Sequence, residues 1–316
     1  MISKKINKAF LYTVMKIILS AVLIIFLFDF IAGKNLLISL KTAEYSLIAA
    51  AFLLMFFNLY LQFSRWRLTC ESLLNEKDGK KILRSLFHGF PAGAVTPGRI
   101  GEYFARGIVL QENSASKIAV SVFIEKLFPL IPVFLFGLLS FTIFLNINPS
   151  LIFSLFLLLV VLGFILFKRA RSFSFSNKII EKGILNRGWL KKIFSEFGLL
   201  GEMKKSFIIK MIILSALFYF CYIIQYALLV SAFSGNFYLV KYMWAGSLLF
   251  FIKAFIPPVT YGDLGIREGV SVYFITKLGE NAAAGLNASL FLFFINLLIP
   301  SLAGAVLLFT SRHTGK

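Results

Sequence analysis

The sequence is poor in acid. Fourteen Asp and Glu stand against 33 Lys and Arg, and the formal net charge is +19. Only three of the acids are aspartates, Asp29, Asp78 and Asp263. That leaves no Asp-rich cluster of the kind that holds magnesium for pyrophosphate chemistry. Histidine and cysteine each occur twice. Cys70 and Cys221 have no metal-ligand or redox spacing and fall in or beside apolar stretches, so buried structural thiols are expected. No HExxH, GxSxG or Walker A pattern occurs. Charged residues make up 15% of the chain, against roughly 25% in an ordinary soluble domain.

What the chain has instead is apolar bulk. Of its 316 residues 59% are hydrophobic, 38 of them Phe, and the mean hydropathy is +0.86. A soluble protein of this size cannot hide so much apolar surface. A water-soluble enzyme, a secreted disulfide scaffold and a disordered chain are excluded, and a polytopic membrane protein remains.

Six stretches have the length, about 20 residues, that crosses a bilayer as a helix. They run roughly over 11–32, 45–64, 117–140, 149–167, 207–232 and 282–309. The first follows Lys4, Lys5 and Lys8; without a clean small-residue cleavage site it reads as an uncleaved anchor. Two further apolar regions, 82–110 and 238–279, are interrupted. The first break carries Thr96, Pro97, Gly98 and Gly101, the second Pro257, Pro258, Thr260, Gly262 and Gly265. Broken backbone at membrane depth must be buried in protein or line a polar cavity. The expected fold is therefore an all-α polytopic membrane protein, with six spanning helices and two broken re-entrant helical hairpins.

Basic residues set the expected orientation. They crowd the N-terminus, the segment from Arg65 to Arg84, a loop at 168–206 and the C-terminus, and are sparse in the alternate loops. Six spans with two re-entrant hairpins put every rich loop, and both termini, on the cytoplasmic side of the cell membrane. The +19 is then a topology signal, and no nucleic-acid-binding motif accompanies it.

The breaks resemble each other. Val95, Thr96, Gly98 and Gly101 match Val259, Thr260, Gly262 and Gly265 at one offset of 164. Each half reads span, span, hairpin, span, and an odd number of spans separates the hairpins. The expectation is one integral membrane domain over 1–316, built as an inverted-topology repeat of about 9–140 and 149–310. Paired broken helices in inverted repeats mark transporter sites near mid-membrane; the plainer alternative is that Gly and Pro only allow close helix packing.

Ionisable residues gather at these breaks, although each costs about 2.5–3.5 kcal/mol at the centre of a membrane helix. Arg99, Glu102 and Arg106 are spaced for one face of a helix after Pro97-Gly98. Asp263, Arg267 and Glu268 follow the second break, Glu125-Lys126 lies in the third span, and Lys253 precedes Pro257. One reading is a polar cavity in which Arg99, Arg106 and Arg267 hold an anionic group such as a phosphate, since the guanidinium fork binds two oxygens. Glu102, Glu125 and Glu268 would then hold the arginines or carry a coupling proton. The other reading is a set of internal ion pairs that only pin helices together.

Two runs resemble the signatures of a known family. Thr96-Pro97-Gly98-Arg99-Ile100-Gly101-Glu102, then Arg106, then Glu125-Lys126 is similar to the first signature of the lysylphosphatidylglycerol synthase transmembrane, or flippase-like, family. Pro257-Pro258 with Gly262-Asp263-Leu264-Gly265-Ile266-Arg267-Glu268-Gly269 resembles its second. Lys126 replaces the expected Arg, and Asp263 a small residue. The resemblance implies a lipid translocase that moves the headgroup of an anionic, aminoacylated or polyprenyl-linked lipid while the acyl chains stay in the bilayer. Asp263 implies a headgroup unlike that of better-known members. No soluble aminoacyl-transferase domain is expected beyond the last span, and no enzymatic activity, cofactor or metal is expected either. The alternative is a scaffold for a lipid-modifying glycosyltransferase or aminoacyl-transferase, recruited through the 168–206 loop.

Overall fold

The computed structural model describes residues 38–96, 99–145, 203–256 and 264–313, with 150, 154, 196 and 199 besides. The expected spans at 11–32 and 149–167 and most of the 168–206 loop lie outside the described residues. So do Pro97 and Gly98 of the first break, and Pro257, Pro258, Thr260, Gly262 and Asp263 of the second.

The described elements are helices: α1 (Tyr45–Thr69), α2 (Gly79–Val95), α3 (Ile100–Ala105), α4 (Ala115–Leu127), α5 (Leu130–Leu145), α6 (Lys205–Ser234), α7 (Leu239–Phe255), α8 (Ile266–Lys277), α9 (Ala282–Phe293) and α10 (Ile299–His313). No strand occurs among the described residues. Among the described residues four continuous runs are long and apolar enough to cross a membrane: Tyr45–Leu74, Ala115–Phe144, Lys205–Ser234 and Ala282–Leu308. At 27–30 residues each, they extend about 40–45 Å, longer than a hydrocarbon core of about 30 Å. They coincide with the expected spans at 45–64, 117–140, 207–232 and 282–309. The chain is a multi-pass membrane protein.

Proline and π-helical turns mark the bends. The missing N–H of Pro129 falls between α4 and α5, where the helix is interrupted at Phe128-Pro129. A π-helical turn, Phe294–Leu298, joins α9 to α10 just before Pro300, the kind of bulge that accommodates a lost helical bond. Pro91 stands inside α2 and cannot donate to the Phe87 carbonyl four residues back. Gly304 of α10 packs on that point. A β-carbon there would press on the Phe87 carbonyl and come within 2.8 Å of the Pro91 ring.

The chain divides into two compact units that interleave along the sequence. The first comprises Met1–Leu59, Phe87–Glu102 and Phe220–Lys316, the second Tyr60–Leu86 and Tyr103–Tyr219. In the first, α8 and α9 pack closely: Ser271 Oγ donates to the Gly285 carbonyl at 2.7 Å, and Gly285 leaves room for the α8 backbone at Ser271 and Val272. The Tyr226 hydroxyl meets Ser271 Oγ at 2.7 Å, and Gln225 donates across to the Ala51 carbonyl at 2.9 Å. That bond is the interhelical partnership expected of an amide in a membrane helix. In the second unit Leu73, Val120, Ile124, Phe128, Phe207 and Met211 form the core, with the Phe128 and Phe207 rings edge-on, 6.0 Å apart.

Large side chains such as Leu53, Phe56, Ile213, Leu302 and Val306 stand exposed. In water such a surface would aggregate; in a bilayer it meets acyl chains. Both cysteines are buried and free, as their apolar setting predicts.

Candidate functional site

Thr96 and Gly101 flank the first break. Thr96 Oγ1 donates to the Ala92 carbonyl of α2 at 2.6 Å and accepts the Gly101 N–H of α3 at 2.7 Å, tying the end of one helix to the start of the next. Gly101 is required by closeness: a β-carbon would lie 2.5 Å from the Ala92 carbonyl oxygen and 2.7 Å from Thr96. Arg99 occupies the left-handed region with φ +57°, where an L side chain is strained. Its N–H reaches the Thr96 carbonyl at 3.2 Å.

This corrects one expectation. Arg99, Glu102 and Arg106 do not share one helix face: Arg99 precedes α3, and Arg106 falls in the 3-10 turn Arg106–Ile108 beyond it. Arg99 Nε pairs with Glu102 Oε2 at 3.2 Å. Glu102 is buried, while the Arg99 side chain is 41% exposed. Gly93 of α2 lies against both, with 3.2 Å left between a β-carbon there and Glu102 Cβ.

Arg106 pairs instead with Glu125 of α4, Nη1 to Oε2, at 3.2 Å. Arg65 bonds the other oxygen of the same carboxylate, and its Nη2 donates to the Glu125 carbonyl at 3.0 Å. Two guanidinium groups thus share one carboxylate, all three buried. Aromatic rings cover both cations: Arg106 lies 4.4 Å from the Trp66 ring centroid and Arg65 4.8 Å from that of Phe218. Ser85 donates to the Arg106 carbonyl at 2.8 Å and accepts from Trp66 Nε1 at 3.3 Å.

Arg65 was not expected in a site. The charge pattern puts it in a basic cytoplasmic segment, but α1 runs on to Thr69 and a π-helical turn continues it to Leu74. The signal was helical spacing. Ala51, Met55, Asn58, Leu61, Arg65 and Thr69 form the buried stripe of α1, whereas Arg67 lies on the exposed face.

The second break ends in Gly265, at φ +88°, which precedes α8. Glu268 Oε2 accepts the Gly265 N–H at 2.6 Å, the glutamate half of a capping box. Its other oxygen takes Arg267 Nη2 at 2.5 Å and the Ser289 hydroxyl at 3.2 Å. Arg267 Nε donates to Ser289 Oγ at 2.9 Å, and its guanidinium lies 5.3 Å from the Phe293 ring centroid. Both residues are buried. Of the weaker candidates, Lys253 lies in the last turn of α7, and Lys126 extends over Tyr103 with Nζ 6.0 Å from the ring centroid.

Outside the membrane runs, Lys81 at the head of α2 reaches Glu112 at 3.0 Å and Glu76 at 3.7 Å. The hydrogen bond to Glu112 raises its ammonium pKa above the ordinary lysine value. Among the described residues no three His, Cys, Asp or Glu side chains come together as a metal site.

The family described as the lysylphosphatidylglycerol synthase TM region matches residues 13–304. The chain belongs to that family. No curated protein and no solved structure gives a significant match. Membership in the lysylphosphatidylglycerol synthase TM family connects the chain to membrane lipids. The match takes in both breaks and all the buried arginine–glutamate pairs described above.

Proposed function

We propose that the chain is a lipid translocase: it carries a phosphate-bearing headgroup across the cell membrane while the acyl chains remain in lipid. The observation that carries this reading is Arg99. It is a strained, left-handed arginine at a helix break, half-exposed, with its carboxylate partner buried beneath it. A guanidinium held in this way can exchange its single carboxylate contact for the two oxygens of a phosphate.

In this reading the buried pairs Arg267–Glu268 and Arg65/Arg106–Glu125 each pin helices within their own unit, and Arg99 touches the headgroup. Six spans with two re-entrant hairpins, related as inverted repeats, would place the breaks at mid-membrane, with both termini cytoplasmic. An unaided headgroup crosses slowly because its charge must leave water; a polar path lowers that cost without chemistry on the lipid. Its partners are then anionic, aminoacylated or polyprenyl-linked lipids, and the protein acts as a carrier and not as an enzyme.

The test is translocation of fluorescent phosphatidylglycerol and its lysyl derivative in proteoliposomes, read by quenching of the outer leaflet. Wild type should translocate at least one of them, and Arg99→Gly, which suits the left-handed backbone, should slow this at least about tenfold, as loss of a charge-assisted contact predicts. Equal rates in the two proteins at equal reconstitution would remove the reading.

A further inference from the structure

The turn of α1 that buries Arg65 presents a second constellation on its outer face. There a groove of about 380 Å³ runs between the end of α1 and the start of α6. Tyr60, Ser64, Arg67 and Glu71 follow one another at helical spacing along one wall, and Lys210 stands on the other. Phe63 and Leu68 on the first side and Ile213 and Leu214 on the second line the rest of the groove. All these residues belong to the second compact unit.

We propose that this groove is a binding site for one anionic phospholipid. Its phosphate lies between Arg67 and Lys210, and the upper part of an acyl chain rests on Phe63, Ile213 and Leu214. Charge is the first reason. Two cations face one carboxylate, which leaves a single positive charge for a singly charged phosphodiester. Arg67 donates Nε to Glu71 at 2.7 Å, a contact that aims the guanidinium and leaves its outer donors for another acceptor. Neither the Tyr60 and Ser64 hydroxyls nor the Lys210 ammonium has a hydrogen-bond partner among the described residues. They supply further donors around the same spot.

Position is the second reason. Arg67 and Lys210 lie toward the ends of the membrane runs Tyr45–Leu74 and Lys205–Ser234. Headgroups sit at such depths, and basic pockets between membrane helices bind anionic ones there. The apolar wall continues along α6 through the exposed side chains of Ile209, Ile213 and Leu217, a surface suited to a chain that extends from the groove into the bilayer. The site does not depend on translocation: it lies on the opposite face of α1 from the Arg65–Glu125 pair.

The experiment uses the full chain in nanodiscs with phosphatidylglycerol or phosphatidylcholine carrying the same photoactivatable acyl chain. Cross-linked peptides are mapped by mass spectrometry. Phosphatidylglycerol should label peptides around 60–71 and 209–217 well above phosphatidylcholine. Arg67→Gln with Lys210→Gln, both at exposed positions, should cut that labelling about tenfold, as removal of two interfacial cations predicts. Leu214→Trp, which fills the groove and leaves the charges, should cut it too. Equal labelling by the two lipids, or phosphatidylglycerol labelling unchanged in either variant, would overturn the proposal. Labelling that survives while Arg99→Gly abolishes translocation would keep the two sites distinct.

Discussion

Two helices in this chain start on the same residues in exchanged order. α3 opens on Arg99-Ile100-Gly101-Glu102 and α8 on Gly265-Ile266-Arg267-Glu268, counting from the left-handed residue that precedes each helix. Ile and Glu hold their places, and Arg and Gly trade theirs. The trade changes what each arginine does. With glycine in the left-handed position, Arg267 falls inside the helix and is buried between Ser289 and Glu268. With arginine there, glycine takes the second helical position, where only a hydrogen fits under Ala92 and Thr96. Arg99 is then left outside the helix and half-exposed. The glutamates diverge as well: Glu268 caps the Gly265 N–H, whereas the Arg99 N–H is already taken by the Thr96 carbonyl. One start is closed on itself and the other leaves its arginine half-exposed.

The largest test of this contrast is Glu268→Ala. It leaves a buried guanidinium unpaired and uncaps α8, at a cost of about 3–5 kcal/mol. Thermal unfolding in detergent should show a sharply destabilised or aggregated protein; a melting temperature near wild type would mean that the pair is not structural. Gly101→Ala comes next. Its methyl meets backbone and a hydrogen-bonded threonine, and strain of about 1–3 kcal/mol is expected. The same unfolding curve measures it, and an unchanged midpoint would contradict the close approach. Gly265→Ala, at φ +88°, should lose about 1–2 kcal/mol. Smallest is Arg99→Gly, which relieves the left-handed strain and should leave stability within about 1 kcal/mol of wild type. Since this variant is expected to lose translocation, stability and activity should separate at Arg99 and fall together at Glu268. If both variants lose stability alike, the two starts are equivalent after all.

Bulk hydropathy made the membrane runs legible. The apolar stretch at 207–232 differs from Lys205–Ser234 by two residues at each end, because a membrane helix ends where its apolar residues do. Glu125 was legible as a candidate because a carboxylate inside an apolar helix needs a reason. Its partners were not. Arg65 is 60 residues away in sequence and Arg106 is 19, and pairing across helices leaves no local pattern. Arg65 was further hidden by its neighbour Arg67, since two basic residues beside a lysine-rich segment look like a loop until the helical face is counted. The exchange of Arg and Gly between the two starts was hidden by the sequence match itself. Aligning the glycines gives an offset of 164, whereas the left-handed residues, the first helical residues and the glutamates align at 166.

The π-helical turn at Phe294–Leu298 has a consequence for how the C-terminal segment tolerates change in length. Each residue of an α-helix advances the azimuth by about 100°, and the wider turn absorbs a residue that would otherwise rotate everything beyond it. Gly304 faces the Phe87–Pro91 segment from the far side of that turn. A deletion of one residue within 294–298 would relax the turn to ordinary α-helix and keep Gly304 in place, whereas a deletion between Ile299 and Ala303 would swing Gly304 away and bring a side chain against the Phe87 carbonyl. A one-residue deletion should therefore be tolerated far more readily within 294–298 than within the five residues that follow.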